Sequence, residues 1–194
     1  MPRRSAAAAS LLFLITIGAL SGCALTASPS PTAAVPSTNT EPCVGTIDPP
    51  YGLARVADPV LLASALGKPG AGGLCTGQVF QVTQPLTVYR VWDASRSTSR
   101  LGRWWSFEPP AGPVDAYRVK NEICPTWSSL DRVTQCHLKV GAQIAIGPGQ
   151  SARCDDRLTY PPSAEIQVFV PNDTRDAAHA KVDVVECEAD VAWP

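Results

Sequence analysis

The chain has 194 residues, 45% of them hydrophobic and 17% charged, with 19 Pro, 14 Gly and 7 Cys. Setting Arg3 and Arg4 aside from the 16 basic residues leaves 14 against 17 acidic ones, a net charge of −3. That balance argues against nucleic-acid binding through a broadly basic surface.

At the N-terminus, Arg3 and Arg4 precede an apolar run from Leu11 to Leu20, broken by Thr16 and Gly18, which ends at Leu20-Ser21-Gly22-Cys23. A positive start, a short apolar middle and small residues before a cut are the parts of an export signal. The run is shorter than the ~20 residues a permanent membrane-spanning helix needs. The Cys directly after Leu-Ser-Gly resembles a bacterial lipobox. The resemblance implies that residues 1–22 are a lipoprotein signal peptide and that Cys23 is acylated and becomes the new N-terminus. The mature protein is then expected on the extracytoplasmic face of the cell membrane, with the membrane as its partner through the lipid. Residues 23–42 read as a tether, because Ala24 to Pro42 is mostly Ala, Ser, Thr and Pro with Glu41 as its one charge. Such a segment cannot bury enough apolar surface to offset its ordering entropy.

Residues 43–194 have the size of one domain. Beyond Cys23, six cysteines remain: Cys43, Cys75, Cys124, Cys136, Cys154 and Cys187. An even set in an exported domain predicts disulfides. Cys124–Cys136 is the expected local pair, and the other connectivity is open. No metal is expected, since no two cysteines form a C-x-x-C pair and only His137 and His179 could assist them.

In chain order, Asp58 is placed to cap a helix with Pro59 at its first position, running through Val60–Leu66 to Gly67. Lys68 to Gly73 is a Pro/Gly loop. Strands are predicted at Gln78–Val82, Leu86–Trp92, Trp104–Phe107, Val133–Val140, Ala142–Ile146, Ile166–Val170 and Val182–Glu188, with a second helix from near Pro113 to before Cys124. Gly147-Pro148-Gly149-Gln150-Ser151 reads as a turn. The fold class is α+β: a small, disulfide-stapled, mainly antiparallel twisted sheet structure with one or two short helices.

Candidate chemistry concentrates between Thr87 and Pro110. Alternation along Leu86–Trp92 puts Arg90 on the same face as Val88 and Trp92, which is costly unless its guanidinium meets an anion. An internal carboxylate is the commoner partner, and a ligand phosphate or carboxylate is the other. Arg96, Arg100 and Arg103 extend the basic cluster, while Asp183, Glu186, Glu188 and Asp190 make the C-terminus acidic. The tandem Trp104-Trp105 must point to opposite faces, so one of them is expected at the surface, where it could stack on a base or sugar.

The strand Tyr89-Arg90-Val91, followed by Gly102-Arg103-Trp104-Trp105-Ser106, looks like the opening of ADP-ribosyltransferase-fold domains. It is most similar to the necrotizing-toxin (TNT-like) NAD glycohydrolase branch. Lys139-Val140-Gly141-Ala142-Gln143-Ile144-Ala145-Ile146-Gly147 resembles that branch's strand pair, and Ala164-Glu165-Ile166-Gln167-Val168-Phe169 its late strand. The resemblance spans Tyr89 to Val170. It implies that Arg90 holds an NAD phosphate or the nicotinamide-side ribose with Tyr89 beside it, that Ser106 supports the nicotinamide pocket, and that Glu165 and Gln167 lie at the catalytic position. The transferases of this fold end that motif in Glu, whereas the TNT-like glycohydrolases use Gln. Gln167 therefore implies hydrolysis of NAD, as substrate rather than cofactor, in preference to transfer. Two alternatives stand beside it: a non-catalytic envelope lipoprotein binding a partner or ligand on the same scaffold, and an unrelated sheet domain in which Trp104-Trp105 packs a core. A Ser/His/Asp triad has no supporting motif, and Gly70-Ala71-Gly72-Gly73 lacks the Lys-Ser/Thr of a phosphate loop.

Overall fold

The computed structural model describes residues 42–175 and 178–193. The export signal, Cys23 and all of the tether except Pro42 lie outside the described residues. The elements in order are β1 (Leu53–Val56), α1 (Pro59–Ala65), β2 (Gln78–Val82), β3 (Thr87–Trp92), β4 (Trp104–Trp105) and α2 (Val114–Lys120). They continue with β5 (Arg132–Leu138), β6 (Gln143–Pro148), β7 (Ala152–Arg153), β8 (Thr159–Tyr160), β9 (Ile166–Phe169), β10 (Val184–Val185) and β11 (Val191–Ala192).

Two antiparallel sheets share one core. The first has the order β1-β2-β6-β9-β4; in the second, β5 pairs with β3 on one edge and with β10 and β11 on the other. Period-two alternation points Phe80, Val82, Ile144, Ile146 and Val168 of the first sheet toward Val88, Cys136, Leu138 and Val184 of the second, with Trp105 among them. The opposite face of the first sheet carries Val79, Ala145 and Phe169, and Leu61 and Ala65 of α1 cover them. Val91 and Val133 on the outer face of the second sheet are covered by Tyr117 of α2 and by Leu130. Tyr117 and Val119 favour strands, yet α2 is a helix. Packing decides it: Tyr117 lies edge-on to Trp193 at 4.8 Å between centroids.

α1 starts as expected. The Asp58 carboxylate accepts from the backbone N–H of Val60 (3.1 Å) and Leu61 (2.9 Å), satisfying donors the first turn cannot. Three disulfides close the domain: Cys43–Cys75, Cys124–Cys154 and Cys136–Cys187. The expected Cys124–Cys136 pair is incorrect. Cys136 sits on β5 inside the core between the sheets, while Cys124 packs with Ala152 and Tyr160 of the β7–β8 hairpin. Nearness in sequence lost to the sheet topology. Three staples are the signature of an oxidising, extracytoplasmic compartment. Among the described residues no helix is long and apolar enough to cross a membrane.

Other expectations shift as well. Lys139-Val140-Gly141-Ala142 is a turn carrying the chain from the second sheet to the first, so β5 and β6 are not a hairpin. Gly147-Pro148 continues β6 instead of turning. The strand expected at Val182–Glu188 is confined to Val184–Val185.

Candidate functional site

One cleft lies between the two sheets' edges, α1 and α2. It has a volume of about 580 Å³, within the range of small-molecule sites. Its walls come from the C-terminal end of α1 with the glycine-rich loop 67–73, from the α1-covered face of the first sheet at Trp104 and Gln167, and from Arg90 and Val91 of β3. Tyr117 of α2 and the segment Asn121–Ile123 complete it, with Trp127 on the loop that follows.

β3 brings Arg90 here because it bridges the two sheets. Backbone hydrogen bonds in both directions join Tyr89 and Ser106 (2.8 and 2.9 Å), so the next residue faces the end of β4. Among the described residues Arg90 meets no carboxylate. Its Nε donates to the Ser99 carbonyl (2.7 Å) and its Nη1 to the Trp104 carbonyl (2.6 Å). Among the described residues Nη2 has no hydrogen-bond acceptor. Gly102 makes room for it, since a methyl group there would lie 2.5 Å from Nη2. Burial pushes the guanidinium down to about 10, while the nearby Tyr117 phenol favours the charge; Arg90 is a cation at neutral pH. The same burial pushes the Tyr117 phenol up to about 12. Exposed Lys68 adds a second cation at the cleft wall.

Gln167 enters from β9, paired with Gly147 of β6. Both of its amide donors point inward, to Glu122 Oε2 at 2.6 Å and to the Asn121 carbonyl at 3.3 Å. Among the described residues no donor reaches its carbonyl oxygen.

Glu122 is the residue that sequence reading missed. It is 1% exposed, its Oε1 has no hydrogen-bond partner, and its backbone stands at φ 49°. It follows the last residue of α2's cap, Asn121, at the position where helices favour Gly. Gly149 leaves the space its carboxyl fills, because any side chain there would overlap Oε2. Burial raises the carboxyl to about 8, partly offset by Ser163 and the Gln167 amide and reinforced by Glu165. No spacing or motif marks Glu122 in advance; an ordinary Glu after a helix gives no sign of a left-handed backbone.

Of the residues expected at the site, Arg90 and Gln167 line this cleft together. Ser106 is buried beside it, its Oγ donating to the Glu108 carbonyl at 2.7 Å, and its hydroxyl lowers the Tyr117 phenol pKa in opposition to burial. Tyr89 alternates away from Arg90 and does not line the cleft; its backbone pairs with Ser106. Glu165 lies outside the cleft and forms an ion pair with Lys120 at 2.9 Å. The rest of the arginine cluster is engaged at the surface: Arg100 with Asp190 (2.7 Å), Arg96 with Asp93 (3.5 Å) and Arg103 with the Asn172 carbonyl (3.1 Å). The tandem pair splits across the sheet, with Trp104 half-buried on the cleft wall. Trp105 is buried, and Trp104 packs edge-on against Phe169 at 5.0 Å. The exposed aromatic at the cleft is Trp127, 43% exposed.

A cleft with a desolvated arginine, an aromatic edge and an oriented amide acceptor suits an anionic ligand with a planar ring and hydroxyl groups. No protein-family model, curated protein or solved structure matches the chain.

Proposed function

We propose that the domain hydrolyses NAD to nicotinamide and ADP-ribose while tethered to the outer face of the cell membrane through a lipid on Cys23. The observation that carries the reading is the convergence of Arg90 and Gln167, 77 residues apart by their numbering, on one cleft with Glu122 behind them. The resemblance of the Tyr89–Val170 stretch to ADP-ribosyltransferase-fold and TNT-like domains supports it.

In this reading Nη2 of Arg90 takes a diphosphate oxygen, with Lys68 adding charge at the cleft wall. The carbonyl oxygen of Gln167 accepts from a hydroxyl of the nicotinamide-side ribose. Holding both ends of the ribose orients the C1′–N bond for cleavage. That bond breaks with its electron pair going to the pyridinium nitrogen, so nicotinamide leaves neutral without needing a proton. Water adds to C1′ and its proton is released to solvent, which balances the reaction. The exposed ring of Trp127 offers a stacking surface for a base.

The test is incubation of the oxidised protein with NAD, following nicotinamide and ADP-ribose by chromatography. Equimolar appearance of the two is expected. NAD left intact by a folded protein would overturn the reading. Saturable binding without turnover would then favour the ligand-binding lipoprotein.

A further inference from the structure

Glu122 concentrates three destabilising features in one residue: a buried carboxyl, an unpartnered oxygen and a left-handed backbone. A Gly at this helix end would remove all three. Buried polar groups left partly unsatisfied, and backbone strain in a non-glycine residue, persist where the surrounding structure or the function demands them. What the residue does is visible in the hydrogen bond it accepts from Gln167 Nε2 at Oε2, 2.6 Å long.

A glutamine amide can present either its carbonyl or its NH2 to a ligand. Here the Asn121 carbonyl can only accept, and Glu122 Oε2 accepts as well whether the carboxyl is ionised or carries its proton on the unpartnered Oε1. Both demand N–H from Gln167, so the carbonyl oxygen is what remains for the cleft. We infer that Glu122 is a positioning residue that commits the Gln167 amide to this orientation, so that the ligand at this point must donate a hydrogen bond. The inference rests on the reading of this cleft as the ligand site, and it narrows the ligand to one bearing a hydroxyl or amine beside its anionic group. A sugar hydroxyl meets the requirement; a ring carbonyl or carboxylate at this point does not.

The charges around Glu122 come from three directions. Glu165, before β9, disfavours its ionised form. Lys120 on α2 is occupied by that same Glu165. Arg118, one turn back, is buried against the carbonyls of Ser128 (2.8 Å) and Ser129 (3.1 Å). The near-side 147–149 segment contributes glycines and no charge.

The experiment is a pH titration of the Gln167 side-chain amide by NMR in the full, oxidised, isotope-labelled chain without ligand, beside Glu122→Gln. The inference predicts two well-separated, exchange-protected Nε2 proton signals that move as Glu122 titrates near pH 8, with the movement lost in Glu122→Gln and the fold unchanged. Nε2 protons that exchange as fast as those of a solvent-exposed amide, or a movement that survives in Glu122→Gln, would overturn it. ADP-ribose is then added as probe. A response at the Gln167 side-chain carbonyl carbon with the Nε2 protons still held is the expected result, and displacement of those protons contradicts it. Because the ligand-free titration needs no substrate, an intact Gln167–Glu122 pair in a protein blind to NAD and ADP-ribose overturns the NAD reading and leaves the pairing standing.

Discussion

Glu122 and Gln167 stand 45 residues apart in the chain and meet through a 2.6 Å hydrogen bond where the end of α2 reaches β9. The pair joins the outer layer of the domain to the first sheet at the cleft wall. It also sets the protonation behaviour of the site, because a carboxyl held in so little solvent resists ionisation.

The first prediction concerns stability against pH. The folded-state pKa of Glu122 is raised from 4.5 to about 8, so the fold favours the protonated form. The stability this contributes is fully present below about pH 4.5 and is lost as the pH rises toward 8. Glu122→Gln keeps the shape without the ionisation. Its thermal denaturation should match the parent at acidic pH and exceed it at pH 8 and above, by on the order of a few kcal/mol. Parallel curves across the whole range would contradict this.

Gly102→Ala tests the seat of Arg90. The added methyl would lie 2.5 Å from Nη2 and 2.7 Å from Cζ, so the guanidinium must leave its two carbonyl partners or the 99–102 loop must shift. Ligand affinity should fall at least about tenfold, while stability drops by about 1 kcal/mol, the net worth of a hydrogen bond. Calorimetric binding and chemical denaturation of the same sample separate the two effects.

Replacing Cys124 and Cys154 together by Ser removes a link spanning 30 residues. Loop-closure entropy puts the loss at roughly 3–4 kcal/mol. Since Cys124 lies two residues beyond Glu122, the variant should also show faster amide exchange through Asn121–Ile123. Unaltered exchange there would mean that α2 and the glycine-lined pocket hold Glu122 without the disulfide.

Asp58→Ala should cost about 1 kcal/mol by orphaning the Val60 and Leu61 N–H groups. Urea denaturation gives the number, and Asp58→Ser should recover most of it.

Local rules made much of this fold legible before any coordinates. Asp58-Pro59 announced α1, and strict alternation marked β2 with the same bounds in sequence and structure. The misses share a cause. β1, β7, β8 and β11 are short pieces defined by partners rather than by their own pattern: Val191–Ala192 is a strand only because Val133 and Arg132 lie opposite. The disulfide pairing failed for the same reason, since which sheet each half of the 132–148 segment joins is a property of the assembled layers. At the site, Arg90 was readable because a charge in an apolar alternation is conspicuous. Glu122 was not, because its meaning lies in a backbone angle, in the space beside Gly149 and in a partner 45 residues away.

The most direct test of the central claim is nicotinamide release from NAD by the oxidised protein beside its Arg90→Ala and Gln167→Ala variants, with melting temperature measured on each. The account predicts release by the parent and its loss in both variants while each remains folded at the assay temperature, its melting temperature lowered only by the carbonyls or the carboxyl it leaves unpaired. Release that survives both substitutions would place the chemistry elsewhere, and no release by the folded parent would contradict the claim outright.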